Sequence, residues 1–188
     1  MRVYFATSNV HKVEEAKHVA REYGVELIPT QAPKIELQSD NLRDVAVYAA
    51  VLAYQHVKAP VIVEDAGLFI IALKGFPGPY SSYVYKTIGV NGLLKLMEGV
   101  EDRRAYFLSV VAFAYSEGVK VFYGRVDGEI AREARGSKGF GFDPIFIPKG
   151  STKTFAEMDV EEKNRYSHRA QAIRRFCEWL VNEGPSHL

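Results

Sequence analysis

The first residues with an evident chemical potential lie where a short apolar run, residues 3–6, gives way to a predicted helix. Thr7, Ser8 and Asn9 stand at this junction, and Lys12 follows one turn later. A helix N-terminus offers unpaired N–H groups and the positive end of the helix dipole, so the junction can bind phosphate. The same residues also suit plain helix capping beside a solvated lysine.

Carboxylates form a second candidate group. The β-branched run 61–63 predicts a strand that ends at Glu64 and Asp65, and open α/β sheets bind ligands beyond the carboxyl ends of their strands. Successive strand residues point to opposite faces, so we expect one of the pair, Asp65, to be central. Glu36 is a further candidate, because magnesium takes one or two protein carboxylates together with water and phosphate oxygens. Solvated surface positions are the alternative for each acid.

Two aromatic rings flank a glycine in a third segment. Phe140 and Phe142 lie on either side of Gly141, and Asp143 precedes a proline that favours extended backbone before it. The rings can form a slot for a base, since stacking on aromatic side chains contributes roughly 1–3 kcal/mol per base. Packing of both phenylalanines in a hydrophobic core is the alternative.

Cations gather in a fourth segment, residues 163–169. Lys163, His168 and Arg169 lead into the last predicted helix. The helix dipole disfavours positive charge at a helix start, so this placement indicates an anionic partner. A plain surface position is the alternative for His168.

The elements that must position these groups change along the chain. Strand–helix units come first, a hairpin turning at residues 117–118 follows, and a helix ended by Gly184 comes last. This order predicts an α/β fold with a mixed sheet. The predicted strands cover residues 3–6, 26–29, 61–63, 68–73, 104–115, 120–130 and 145–147.

Composition limits the function classes. The 188 residues are 47% hydrophobic and 25% charged, and a net charge of +1 gives no electrostatic footprint for duplex nucleic acid or an anionic membrane. A single cysteine, Cys177, excludes an internal disulfide. No apolar stretch is long enough for a signal peptide or a transmembrane span. We therefore expect a cytoplasmic protein that binds neither nucleic acid nor membrane.

Taken together and in this order, these segments resemble the inosine/xanthosine triphosphate pyrophosphatases, a family that hydrolyses non-standard nucleotides. Five ordered matches spread over nearly the whole chain are far more specific than any one of them. They are Thr-Ser-Asn-Val-His-Lys at 7–12, Val-Glu-Asp at 63–65, Pro-Gly-Pro-Tyr at 77–80, Gly-Phe-Gly-Phe-Asp-Pro at 139–144, and Ala-Glu-Met at 156–158 with Lys-Asn at 163–164 and Ser-His-Arg at 167–169.

The resemblance implies one domain over residues 1–188, with an elongated, twisted mixed β-sheet, flanking helices and two lobes around a central cleft, usually as a homodimer. It also implies that triphosphates such as those of inosine, deoxyinosine and xanthosine are split into monophosphate and pyrophosphate with bound Mg²⁺. The metal ligands would be Glu36 and Asp65, and Asp65 would also activate the water. Substrate contacts would come from Thr7, Ser8, Asn9, Lys12, Ala66, Phe140, Gly141, Phe142, Asp143, Lys163, His168 and Arg169.

Two positions depart from the family pattern. Many members carry a lysine in the helix before the Val-Glu-Asp strand, near Ala49 or Ala53, whereas this helix has none before Lys58. One phosphate contact is therefore missing or supplied from elsewhere. The second pocket aromatic is often tryptophan but is Phe142 here, which leaves stacking with less area.

The implied reaction has water attack the α-phosphorus while pyrophosphate leaves, so positioning and charge neutralisation matter more than covalent chemistry. Lys12 and magnesium would offset the triphosphate charge. Arg169, a donor only, would pair with the keto oxygen of hypoxanthine or xanthine but not with the amino group of adenine. The alternatives are a related pyrophosphatase with another base specificity and a non-catalytic nucleotide-binding module, which would gain nothing from carboxylates at its site.

Overall fold

The structure, a computed structural model, describes residues 1–33, 35 and 37–185. In this part of the chain seven strands form one open sheet and six α-helices flank it. The strands are β1 Arg2–Ala6, β2 Glu26–Thr30, β3 Val61–Ile70, β4 Pro77–Gly78, β5 Arg104–Tyr115, β6 Gly118–Ile130 and β7 Phe146–Pro148. The helices are α1 Val10–Arg21, α2 Leu42–Val57, α3 Ser81–Thr87, α4 Gly89–Leu96, α5 Val160–Tyr166 and α6 His168–Glu183.

The sheet is mixed, which confirms the prediction. Its strand order is β2-β1-β3-β5-β6-β7, and β4 pairs with the far end of β3. β1 runs parallel to β2 and to β3, whereas the other strand pairs of the described residues are antiparallel. Parallel neighbours need a crossover connection, and α1 and α2 provide the two crossovers. The predicted hairpin is the β5–β6 pair.

One strand is longer than its sequence pattern predicts. The pattern places the end of the strand at Asp65, but β3 continues without a break to Ile70. The cause is β5, which pairs with all ten residues of β3, whereas β1 pairs only with Val61 and Ile62. Asp65 therefore lies in mid-strand, yet still beside the space that opens where β1 ends.

Side chains alternate between the two faces of the sheet, and both faces are buried around residues 110–113 of β5. Val111 and Phe113 of β5 point to the face covered by α1 and α6, and Val110 and Ala112 point to the face covered by α2. A third apolar cluster, at the other end of β5 and β6, holds α3, α4 and β7 against the sheet. No helix in the described ranges combines the length and the apolar character that crossing a bilayer requires.

Gly124 of β6 allows α6 to lie directly on the sheet. A Cβ at this position would overlap with the carbonyl oxygen of His168 and with the backbone nitrogen of Ala172. We expect Gly124→Ala to displace the first turn of α6, which carries Arg169, and to lower the free energy of unfolding by roughly 1–3 kcal/mol. Urea denaturation measures this, and an unfolding midpoint equal to that of the parent protein would contradict the close packing.

Candidate active site

A cavity of about 920 Å³ opens where β1 ends and β3 continues. Most residues singled out in the sequence border it, although they come from distant parts of the chain. Lys163 lies directly behind the wall, where its Nζ donates to Asp143, and Glu36 lies outside the described residues. The bordering residues are Thr7, Ser8, Asn9, Lys12, Asp65, Ala66, Phe140, Gly141, Phe142, Asp143, His168 and Arg169.

The β1–α1 junction is capped by its own side chains. Asn9 Oδ1 accepts from the backbone N–H groups of His11 and Lys12, at 3.0 and 3.3 Å, and Thr7 Oγ1 accepts from the N–H of Asn9 at 3.1 Å. Capping, one of the two interpretations of this junction, is therefore present. Since these three N–H groups are satisfied within the chain, they are not available to a phosphate, whereas the side chain of Lys12 lies on the cavity wall.

Lys12 reaches across the cavity floor to β3. Its Nζ lies 2.9 Å from Glu64 Oε2 and donates to the Glu64 backbone oxygen at 3.0 Å. Glu64 is fully buried on this side of the strand and also accepts from Ser109 Oγ at 2.6 Å. The expectation that only Asp65 of the acidic pair would matter is thus incomplete, because Glu64 borders the same cavity and holds its cations.

Six alternating charges, which we call the buried ion network, join the β1–α1 junction to the aromatic segment. Three cations and three carboxylates take part, so the formal charges cancel. Because each interior carboxylate lies between two cations, the cost of burying it is offset by two attractions. In order, the contacts are Lys12–Glu64 at 2.9 Å, Glu64–Arg169 at 3.1 Å, Arg169–Glu15 at 2.5 Å, Glu15–Lys163 at 2.5 Å and Lys163–Asp143 at 2.7 Å.

The neighbouring charges set the protonation of this network. Burial by itself would raise the pKa of Glu64, but Arg169 and Lys12 outweigh it and hold that pKa well below its usual range. Burial likewise opposes ionisation of Glu15, and its cationic partners prevail and lower its pKa. At the end of the network burial wins, since the pKa of Asp143 is raised by desolvation despite its contact with Lys163.

The glycines of the aromatic segment admit a carboxylate to the backbone. Gly139 has φ +71°, and a Cβ there would overlap with the carboxylate of Asp143. That carboxylate accepts from the backbone N–H of Phe140 at 3.0 Å, and Phe140 borders the cavity. The ring stacks on His11 with centroids 5.3 Å apart, and Lys163 Nζ and the guanidinium of Arg169 lie 5.1 and 5.2 Å from its centroid.

The two phenylalanines have different environments. Phe140 is half-buried on the cavity wall, whereas Phe142 is only 3% exposed and belongs to the core cluster with α3 and α4. The ring of Phe142 meets Tyr85 edge-on, with centroids 5.6 Å apart. The core alternative therefore describes Phe142, which also borders the cavity, and stacking of a base on Phe140 stays a prediction.

His168 is buried against Phe107, with the two rings nearly parallel and their centroids 4.6 Å apart. Its Nδ1 has no hydrogen-bond partner within the described ranges. Burial lowers the pKa of His168 well below 6.5, and the positive charges of Arg169, Lys163 and Lys12 add to this against the opposing effect of Glu64. The imidazole is therefore neutral at neutral pH, with an acceptor or donor nitrogen available to a ligand.

This histidine gives stability a dependence on pH. Unfolded His168 takes up a proton near its ordinary pKa of about 6.5, whereas the folded form resists protonation, so the unfolded state binds more protons below that pH. We expect the free energy of unfolding to fall on acidification below about pH 6.5, by at most about 1.4 kcal/mol per pH unit. Urea denaturation of the parent and of His168→Phe between pH 7.5 and 5.5 measures it. Equal slopes for the two proteins would refute this assignment.

Sequence reasoning missed Glu15, which connects two cations of the site. A signal was available, because Glu15 lies four residues before Val19 and three after Lys12, and so occupies the buried face of α1 beside the junction. A buried acid on an apolar helix face requires a cationic partner. Ala49 and Ala53 of α2, near which many family members carry a lysine, both border the cavity.

A mixed α/β sheet with a cavity at the end of a parallel strand, bordered by cations, carboxylates and an aromatic ring, is typical of nucleotide-binding proteins. The chain belongs to the Ham1 family, whose sequence profile matches residues 3–179. The resemblance found in the sequence is thereby confirmed.

Relatives with assigned names are similar over almost their full length. The chain is 59% identical over 183 residues to a protein of Hyperthermus butylicus named dITP/XTP pyrophosphatase, covering 97% of this chain and 96% of the relative. It is 54% identical over 180 residues to a Thermococcus kodakarensis protein of the same name, covering 96% and 97%. The solved structure of a HAM1 protein from Coxiella burnetii is 32% identical and superposes with a TM-score of 0.85, covering 96% and 98%. The predicted fold class is thus confirmed.

Proposed function

We propose that this chain hydrolyses non-canonical purine nucleoside triphosphates, those of inosine, deoxyinosine and xanthosine, to the monophosphate and pyrophosphate. One observation carries the proposal. A single cavity joins a capped junction with Lys12, the carboxylate Asp65 and a cation-flanked ring, Phe140, in a chain more than half identical to proteins named dITP/XTP pyrophosphatase. Removal of such nucleotides from the cellular pool would be its role.

The arrangement supports a substrate that spans the cavity. Its triphosphate would lie toward Lys12 and Thr7, and its base toward Phe140 and Arg169, since the buried ion network runs between these two places. A guanidinium has five N–H donors and no acceptor. Arg169 donates from Nη1 to Glu15 and forms an ion pair with Glu64, and its remaining N–H groups suit a keto oxygen at position six of the base but not an amino group.

Magnesium is part of the proposal. Asp65 is half-buried on the cavity wall, with its Oδ1 accepting from the N–H of Ala66 at 3.1 Å, and Glu36 would be the second protein ligand. The described residues hold no cluster of three or more metal-ligating side chains, and a magnesium ion completed by water and phosphate oxygens does not require one. Bound Mg²⁺ supplies positive charge to the phosphates. Asp65 would orient the attacking water and accept its proton.

A homodimer in the cytoplasm completes the proposal. The family resemblance supports the homodimer, and apolar side chains at the turn between α3 and α4 and on α4 are available for a partner copy, with Ile88 44% and Leu96 49% exposed. Sedimentation velocity at micromolar concentration tests the assembly, and a protein that sediments as a monomer would exclude it.

The function is tested by measuring pyrophosphate and phosphate released from the triphosphates of inosine, xanthosine, guanosine and adenosine, with Mg²⁺ and with chelator. We expect pyrophosphate from the first two, in the presence of Mg²⁺, at rates far above those for the other two. Equal rates on all four would overturn the base preference and favour a related pyrophosphatase. Binding of the triphosphates with no product would favour the non-catalytic module.

A further inference from the structure

We infer that Lys86 of α3 supplies a cation that meets the polyphosphate of the substrate. The inference rests on the proposed function, because the polyphosphate belongs to the proposed triphosphate substrate. The α2 residues that border the cavity are Val45, Ala49 and Ala53, and none of them is a lysine. Lys86 would supply from α3 the phosphate contact that α2 lacks.

The charges around the cavity single out Lys86. Among the described residues that border it, the cations are Lys12, Lys86 and Arg169. Lys12 and Arg169 belong to the buried ion network, in which Glu64 and Glu15 offset their charges. Lys86 lies outside that network, so its positive charge can act directly on a polyanion in the cavity.

Two contacts fix α3 beside the site. At its start, Ser81 Oγ accepts from the backbone N–H of Leu68 at 2.8 Å and donates to the carbonyl oxygen of Gly78 at 2.7 Å, which ties the helix to β3 three residues beyond Asp65. Near its end, Tyr85 meets the ring of Phe142. Lys86 therefore extends from a helix held between the reactive carboxylate and the aromatic segment.

Lys86 also differs from the other two cavity cations in its availability. It is exposed and borders the cavity, and within the described chain no carboxylate forms an ion pair with it. A lysine is a compact charge on a flexible stem, so it can follow a phosphate group without first breaking an internal salt bridge. Lys12 and Arg169, in contrast, are held by Glu64 and Glu15.

The test compares three variants with the parent protein in excess Mg²⁺. Lys86→Gln removes the charge, Lys86→Arg keeps it, and Lys95→Gln is the matched control, since Lys95 is an exposed lysine of the neighbouring helix that does not border the cavity. We expect Lys86→Gln to raise the KM for inosine triphosphate and the inhibition constant of inorganic pyrophosphate roughly tenfold, the loss typical of one charge-assisted contact. Lys86→Arg and Lys95→Gln should stay close to the parent.

The base preference distinguishes a contact of Lys86 with the polyphosphate from a contact with the base. The ratio of kcat/KM for inosine and adenosine triphosphates should be unchanged in Lys86→Gln. A changed ratio with unaltered pyrophosphate inhibition would overturn the inference and place Lys86 at the base, and kinetics equal to those of Lys95→Gln would overturn it as well. If the parent released no pyrophosphate at all, the proposed function would fail. Calorimetric binding of pyrophosphate to the same variants would then still test whether Lys86 contacts the polyphosphate.

Discussion

Asp65→Asn should reduce pyrophosphate release by about 10²- to 10⁴-fold, the range expected when a positioned proton acceptor is removed. The amide preserves the shape of the side chain and can still accept from the N–H of Ala66, as Asp65 Oδ1 does at 3.1 Å. It removes the negative charge that would bind magnesium and take a proton from water. Nucleotide affinity should stay measurable, because the contacts at Lys12 and Phe140 are untouched.

Steady-state kinetics with inosine triphosphate, together with calorimetric binding of the nucleotide, measure both effects of Asp65→Asn. Asp127→Asn on β6 is a suitable control, since it removes the charge of an exposed aspartate whose side chain is paired with Arg125 away from this cavity. Full activity of Asp65→Asn would refute a catalytic role for this carboxylate. Loss of binding together with turnover would instead assign Asp65 to substrate affinity.

Glu15→Ala should be the most destabilising single change at the site. Glu15 accepts from Lys163 Nζ and Arg169 Nη1, each at 2.5 Å, and all three side chains are about 3% exposed. Its removal leaves two buried cations short of a partner, and loss of one member of a buried pair costs about 3–5 kcal/mol. Because Arg169 would also lose the contact that orients it, we expect a weaker preference for inosine over adenosine triphosphate.

Urea denaturation and the ratio of kcat/KM for the two nucleotides test this prediction. Glu14→Ala is the matched control, because Glu14 is the exposed neighbour on the same helix. Glu15→Gln keeps the size of the side chain and should recover part of the stability but less of the base preference. If Glu15→Ala unfolded at the same urea concentration as Glu14→Ala, the buried ion network would not have the importance we assign to it.

Local features of the sequence predicted several elements correctly. Asn9 caps α1 through Oδ1, which is one of the two interpretations that the junction offered. Two long runs of β-branched and aromatic residues around Gly118 form the β5–β6 hairpin. These features depend on contacts between residues near one another in the chain, so composition and spacing suffice to identify them.

Two short helices, α3 and α5, were not visible in the sequence. α3 and α5 have seven residues each, which is fewer than two full turns beyond their caps, and no apolar periodicity can be read over such a length. Their positions come from tertiary contacts, such as those of Ser81 with Leu68 and Gly78. The consequence for the site is Lys86, which the sequence did not single out.

The sequence by itself predicted the kind of chemistry: a junction at Thr7–Lys12 that could bind phosphate, a carboxylate at Asp65, and a glycine-bounded ring at Phe140 that could stack on a base. Only the tertiary structure decided how these groups are held. Glu15 and Glu64 became partners of Lys163, Arg169 and Lys12 because α1, α6 and β3 meet there, 148 residues apart in the case of Lys163 and Glu15. Charge pairs of that separation leave no periodic trace in a single chain, since Coulomb attraction depends on distance in space and not on spacing in sequence.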